Sequence, residues 1–226
     1  MRKLVVLTGA GISAESGIPT FRASDGLWEG HDVMEVASPE GWARNPELVL
    51  NFYNERRKAA REAEPNDGHL YLKKLEELFD VTVVTQNVDN LHEKAGSSNV
   101  IHLHGSLFES RSEADESLVY PSEDVVELGD TCERGHQLRP NIVWFGEAVP
   151  MMEKAIEEAS RADVFLVVGT SLQVYPAAGL VDYVPHDCEI YHVDPKSETN
   201  ARVPSRVRMI REKASLGVKM VYQELS

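Results

Sequence analysis

Four groups of residues in this chain have types and spacings that could do chemistry. Gly9-Ala10-Gly11-Ile12-Ser13-Ala14 follows the apolar run Leu4-Val5-Val6-Leu7 and reads G-x-G-x-x-A. In a dinucleotide-binding turn the first glycine allows the tight bend and the second lets backbone approach a pyrophosphate. The helix that follows then supplies free N–H groups and a positive dipole end. A bare glycine turn between strand and helix has the same letters. The acidic residue that a hydride-transfer enzyme places about 20 residues later falls here in the polar stretch 21–30, with no strand before it. Any dinucleotide would therefore lie in a different pose. Asn87 and Asp89 stand two apart directly after the run Val81–Val84. In extended chain they point to one side, although a turn or a helix cap accounts for them equally. His104, one of eight histidines, closes the short run Val100-Ile101-His102-Leu103. A neutral imidazole at a strand end can act as a general base near physiological pH, or be a surface or capping residue. Gly169-Thr170-Ser171 follows another strand-like run, at a position suited to phosphate or ribose.

These residues need a scaffold. Leu4–Leu7, Val81–Val84, Val164–Val168 and Ile190–Val193 are short β-branched runs, the pattern of parallel strands covered on both faces. Arg206–Ile210 reads as an edge strand. Helical stretches are expected from Asn45-Pro46 to about Ala63 and from Gly68 to Phe79. Others run from Met151 to Arg161, Pro176 to Val184 and Ser215 to Glu224. This alternation predicts an α/β fold, a doubly wound, Rossmann-like parallel sheet. About seventy residues separate the first strand from the next, more than a crossover needs. The stretch 110–139 is acidic and weakly periodic. Both read as insertions that pack together as a small second domain.

The 226 residues suffice for one sizeable core with a smaller module. A formal net charge of -14 disfavours phosphate backbones and hence direct nucleic-acid binding, and it favours basic partners such as lysine-rich protein segments. No apolar run is long enough to span a bilayer, and the N-terminus lacks a signal-peptide pattern. A cytoplasmic protein is expected, acting as a monomer. The two cysteines, Cys132 and Cys188, form no disulfide framework and cannot build a four-thiolate zinc site.

The glycine motif continues through Glu15-Ser16-Gly17-Ile18-Pro19-Thr20-Phe21-Arg22. It is followed in order by Thr85-Gln86-Asn87-Val88-Asp89-Asn90-Leu91-His92, His104-Gly105, Arg139-Pro140-Asn141-Ile142-Val143-Trp144-Phe145-Gly146-Glu147 and Gly169-Thr170-Ser171-Leu172. Together these blocks resemble the sirtuin family over most of the chain. The resemblance implies a Rossmann-like NAD-binding domain, 1–30, 67–105 and 140–226, and a small domain, 31–66 and 106–139. It also implies a reaction that consumes NAD and an acyl-lysine protein and releases lysine, nicotinamide and O-acyl-ADP-ribose. His104 would be the catalytic base and Asn87 would stand near the ribose, with Asp89 and Gln86 at the nicotinamide. Gly9, Ala10, Gly11, Ser13, Ala14, Gly17, Thr20, Phe21, Arg22, Trp28, Val88, Gly169, Thr170 and Ser171 would complete the cofactor site. Asp194, Pro195 and Lys196 would lie near the adenosine ribose and Ala214 near the adenine. Val143 to Glu147, with Gly146 between, and Leu172 to Tyr175 would flank the substrate peptide. Trp144 and Phe145 would line an apolar lysine tunnel, or be core. A mono-ADP-ribosyltransferase using the same pocket is the alternative.

Tyr53 and Arg56 share a helix face at i and i+3. They resemble the pair of the sirtuin branch that removes succinyl and malonyl groups, in which a phenol and a guanidinium hold a distal carboxylate. Most of the family also carries two C-x-x-C pairs that bind zinc. Here Ser112 and Asp115 stand near the first pair, and only Cys132, with His136 four residues on, remains of the second. No structural zinc is expected.

Overall fold

The computed structural model describes residues 1–20, 27–196 and 207–226. The strands are β1 (Lys3–Thr8), β2 (Leu27–Trp28), β3 (His31–Asp32), β4 (Asp80–Thr85), β5 (Val100–His102) and β6 (Gly105–Ser112). They continue with β7 (Val119–Pro121), β8 (Leu138–Ile142), β9 (Val164–Val168), β10 (Glu189–Val193) and β11 (Val207–Ile210). The α-helices are α1 (Val33–Val36), α2 (Pro39–Arg44), α3 (Pro46–Glu62), α4 (Asp67–Leu75), α5 (Leu91–Lys94), α6 (Met152–Ala159) and α7 (Ala214–Leu225).

Six strands form one sheet in the order β11-β10-β9-β1-β4-β5, and every described pairing in it is parallel. β1 is central because both its faces are apolar. Leu4 and Val6 join a core with Leu72, Leu75, Val218 and Val221 of α4 and α7. Val5 and Leu7 face a second core with Ala155 and Ala159 of α6 and with Leu180. The chain winds from β1 toward β4 and β5 on one side and later toward β9, β10 and β11 on the other. The direction of winding therefore reverses between β1 and β9, where such sheets open a crevice at their carboxyl ends.

A third apolar cluster gathers Val36, Trp42, Val49, Phe52 and Tyr53 from the helices α1–α3 with Leu107, Val126, Ile142 and Trp144. The last group comes from the antiparallel sheet β7-β6-β8 and its surroundings. Asn45 caps α3 by accepting from the Leu48 N–H, with Pro46 in the first turn. At the other end Lys94 of α5 donates to the carbonyls of Ala60, Arg61 and Ala63, a cation on the unsatisfied end of a helix. None of the described helices is long and apolar enough to cross a membrane.

Three expectations change. The stretch Pro176–Val184 forms a 3-10 helix over Ala177–Asp182 rather than an α-helix. The helix after the glycine turn is two single 3-10 turns, Ala10–Ile12 and Ala14–Ser16, which carry no macrodipole worth the name. Gly9 itself is extended, at φ -129° and ψ -175°, so its glycine is not required by the bend. Added Cβ atoms at Gly9 and Gly11 would lie 2.7 Å from Thr170 Cβ and from Gly169 Cα. The two glycines let the loop after β1 lie directly on the loop after β9.

Candidate functional site

The crevice between those loops collects polar side chains from three adjacent strands. Gly9 N–H donates to the Val168 carbonyl and Gly11 N–H to that of Gly169, at 3.0 and 2.8 Å. His192 of β10 donates from Nε2 to the Thr170 carbonyl and so steadies the second loop. From β4, Gln86 reaches Thr170 Oγ1 at 3.3 Å. Asn87 Nδ2 donates to Ser13 Oγ at 3.1 Å, and Ser13 Oγ–H donates to Asp89 Oδ2 at 2.9 Å. Asp89 also accepts the Leu91 N–H at the start of α5. Its capping role and its place in the crevice thus coexist. Burial raises the Asp89 pKa, against those two hydrogen bonds.

His104 follows β5. Its Nδ1 lies 3.0 Å from the Gln86 carbonyl. A carbonyl only accepts, so Nδ1 carries the proton and Nε2 presents a lone pair. Burial lowers the His104 pKa, with the Gln86 carbonyl pulling the other way; the ring is a neutral base at physiological pH. Its own carbonyl accepts the Val143 N–H, which sets the 143–147 segment beside it. The following Gly105 has φ +81°, and a Cβ there would meet the Asn141 oxygen at 1.9 Å.

Other expected residues are distributed around this centre. Gly17 ends the second 3-10 turn at φ +84°, and Ala10, Ala14 and Thr20 are at least partly exposed. Val88 accepts the Leu107 N–H and packs toward the small sheet. Ser171 is exposed, and Asp194, Pro195 and Lys196 lie past β10, where Asp194 accepts the Lys196 N–H. Ala214 is buried in the core at the start of α7. Glu15 fastens that helix end to the glycine loop by accepting from Ser215 N–H and Oγ. Phe21 and Arg22 lie outside the described residues. Trp28 packs edge-on to Phe52 and Tyr53 of α3.

Of the two readings left open for Trp144 and Phe145, the structure buries the first and exposes the second. Trp144 is only 2 % exposed. Arg139 stacks on its ring at 3.3 Å and forms a two-pronged pair with Glu147, which also takes the Trp144 N–H and an Arg111 contact. Burial works against the Glu147 carboxylate, but Arg139, the Trp144 amide and Arg111 outweigh it and lower its pKa. Trp144 Nε1 donates to Tyr53 Oη at 3.0 Å. Tyr53 is fully buried, and burial pushes its phenol well up. The phenol therefore keeps its proton. Arg56 is partly exposed, stacks on Phe52 and holds Glu29 loosely at 3.8 Å. Phe145 and Gly146 are exposed.

Where zinc-binding knuckles would face each other, Cys132 Sγ is 3.4 Å from Ser112 Oγ, and Arg134 pairs with Asp115 at 2.6 Å. A thiol–hydroxyl contact and an ion pair span the gap. No described cluster of three His, Cys, Asp or Glu could hold a metal ion.

Sequence reasoning passed over His102, His192 and Glu93. His102 had a signal, since it lies two before His104 in a strand.

The Sir2 family model matches residues 9–176. The chain is 55 % identical over 214 residues to an NAD-dependent protein deacylase of Helicobacter pylori, covering 95 % of this chain and 93 % of that protein. It is 52 % identical over 231 residues to one of Bacteroides thetaiotaomicron, covering 100 % and 98 %. Among solved structures, a Sir2 homologue–NAD complex superposes with a TM-score of 0.88 at 40 % identity, over 99 % of this chain and 89 % of that one. A Sir2–p53 peptide–NAD+ complex superposes at 0.82 and 36 % identity, over 99 % and 93 %. With this crevice, these motifs and these relatives, the chain belongs to the Sir2 family, the sirtuins.

Proposed function

We propose that this sirtuin is an NAD-dependent protein lysine deacylase with His104 as its general base, and that it accepts acidic acyl groups, succinyl or malonyl, as well as acetyl. The observation that carries the first part is the His104–Gln86 hydrogen bond. It commits Nδ1 and leaves Nε2 free to take a proton from a ribose hydroxyl. The crevice fits a dinucleotide: glycine-lined backbone at the winding reversal, hydroxyls on Ser13 and Thr170, and amides on Gln86 and Asn87. Bound NAD supplies the ribose carbon that the acyl oxygen attacks as nicotinamide leaves. Ser13, Asn87 and Asp89 orient the groups around that carbon, and the 143–147 segment aligns the peptide beside His104.

Support for acidic acyl groups comes from Arg56 and Tyr53. Glu29 holds Arg56 only loosely, so a substrate carboxylate can replace it. Trp144 occupies the Tyr53 oxygen, and reaching the O–H of this fully buried phenol requires the incoming acyl chain to displace the packing around it. The test is nicotinamide release from NAD with a panel of acyl-lysine peptides. Wild type is expected to need the peptide, His104→Ala to lose activity, and Arg56→Met to lose acidic-acyl turnover selectively. Equal losses on acetyl and succinyl peptides would refute the acidic-acyl assignment. Label transfer to protein without any acyl group would instead indicate an ADP-ribosyltransferase.

A further inference from the structure

A second imidazole reaches the same stretch of chain as His104. His102 is the last residue of β5 and His104 stands two further on, in the turn that follows. Each meets a successive carbonyl after β4: His104 Nδ1 that of Gln86, and His102 Nδ1 that of Asn87 at 3.1 Å. The other nitrogen of His102, Nε2, lies 2.7 Å from Glu93 Oε1 on α5. A carbonyl and a carboxylate both accept, so making both contacts at once requires both ring nitrogens to donate, as they do in the imidazolium form. The charged and titratable groups facing it agree. Burial opposes its cation while Glu93 and Asp89 favour it, and His92, with His69 edge-on to it, is buried like His69, which lowers the pKa of both.

The Asn87 peptide is held from several directions. Its N–H donates to Thr85 Oγ1, its side chain donates to Ser13 Oγ, and its carbonyl accepts a hydrogen bond from His102 Nδ1. We propose that His102, clamped between Glu93 and the Asn87 carbonyl, is a positioning residue that holds the Gln86–Asp89 segment in register for NAD. Its functional consequence rests on the deacylase reading; its effect on NAD binding does not. On losing a proton the ring keeps one N–H and can serve Asn87 or Glu93, not both. The clamp is therefore complete at low pH and loosens as pH rises through the His102 pKa, which Glu93 raises above the ordinary histidine value after offsetting burial.

The test combines calorimetric NAD binding with peptide-dependent nicotinamide release, from about pH 6 to about pH 9, on wild type, His102→Ala, His102→Asn and Glu93→Gln. His102→Ala is expected to weaken NAD binding and raise its KM about 5- to 20-fold, with a smaller fall in kcat. His102→Asn, whose amide nitrogen can take the place of Nδ1, should recover most of the loss. Glu93→Gln keeps an acceptor for the ring but removes the charge, so its alkaline limb should move to lower pH. Unchanged NAD affinity in His102→Ala, or an alkaline limb that stays put in Glu93→Gln, would overturn the proposal. A wild type that releases no nicotinamide would overturn the deacylase reading alone, leaving the NAD-binding arm to judge His102.

Discussion

At the scale of single residues, hydrogen-bond direction assigns the parts. His104 must be neutral to accept a proton, and burial lowers its pKa. The acidic limb of kcat/KM is thus expected below the ordinary histidine value, about 6.5, with activity falling as pH drops through it. A limb above that value would show that the ring is not the base. Trp144 contributes by direction too. Trp144→Phe keeps a ring for Arg139 but removes the N–H that occupies the Tyr53 oxygen. KM for a succinyl peptide is expected to rise roughly 3- to 10-fold, the worth of one hydrogen bond, while KM for an acetyl peptide stays within about twofold. A matched rise on both would mean that Trp144 acts only in packing. Sequence motifs located these residues but left open whether Trp144 lines a tunnel or is core, because spacing carries no information about burial; the structure packs it against Tyr53 and Arg139.

At the scale of elements, the strands were legible because buried parallel strands are continuous β-branched runs, as β1, β4, β9 and β10 are. The small sheet was not. β6 mixes Gly, Ser, Glu and Arg with its apolar residues, and its pairing with β8 shifts register between Gly105 and Ser110. The turn after β5 depends on one glycine. Gly105→Ala combines a collision with the Asn141 carbonyl and a left-handed φ, and is expected to cost about 3 kcal/mol or more. Gly17→Ala, with open space around it, should cost about 1–2 kcal/mol for the left-handed backbone alone. Urea midpoints would separate the two, and comparable losses would contradict the steric account. In the ribbon, the Ser112–Cys132 and Asp115–Arg134 contacts predict that a strong chelator leaves the melting temperature unchanged. A chelator-induced drop would reveal a metal on Cys132 and its neighbours.

For the whole molecule, two buried histidines set a response to acid. His69 is fully buried, and burial lowers its pKa to about 4; His92 beside it is held well below its ordinary value, also by burial. In the unfolded chain both take protons near pH 6.5. Their contribution to stability is complete above that pH and is lost as pH falls toward the folded value, on the order of 3 kcal/mol for His69. Melting temperature should therefore decline between about pH 6.5 and pH 4, and His69→Gln should flatten the decline. An equally steep fall in that variant would assign the acid sensitivity to other groups.

The tie between Glu15 and Ser215 joins residues 200 apart in sequence, and the glycine loop also leans on Gly169. The loop that carries the glycines is therefore shaped by two segments far from it in sequence, the turn after β9 and the start of α7. The form of this crevice is a property of the assembled tertiary structure, so local unfolding of α7 would loosen it at a distance.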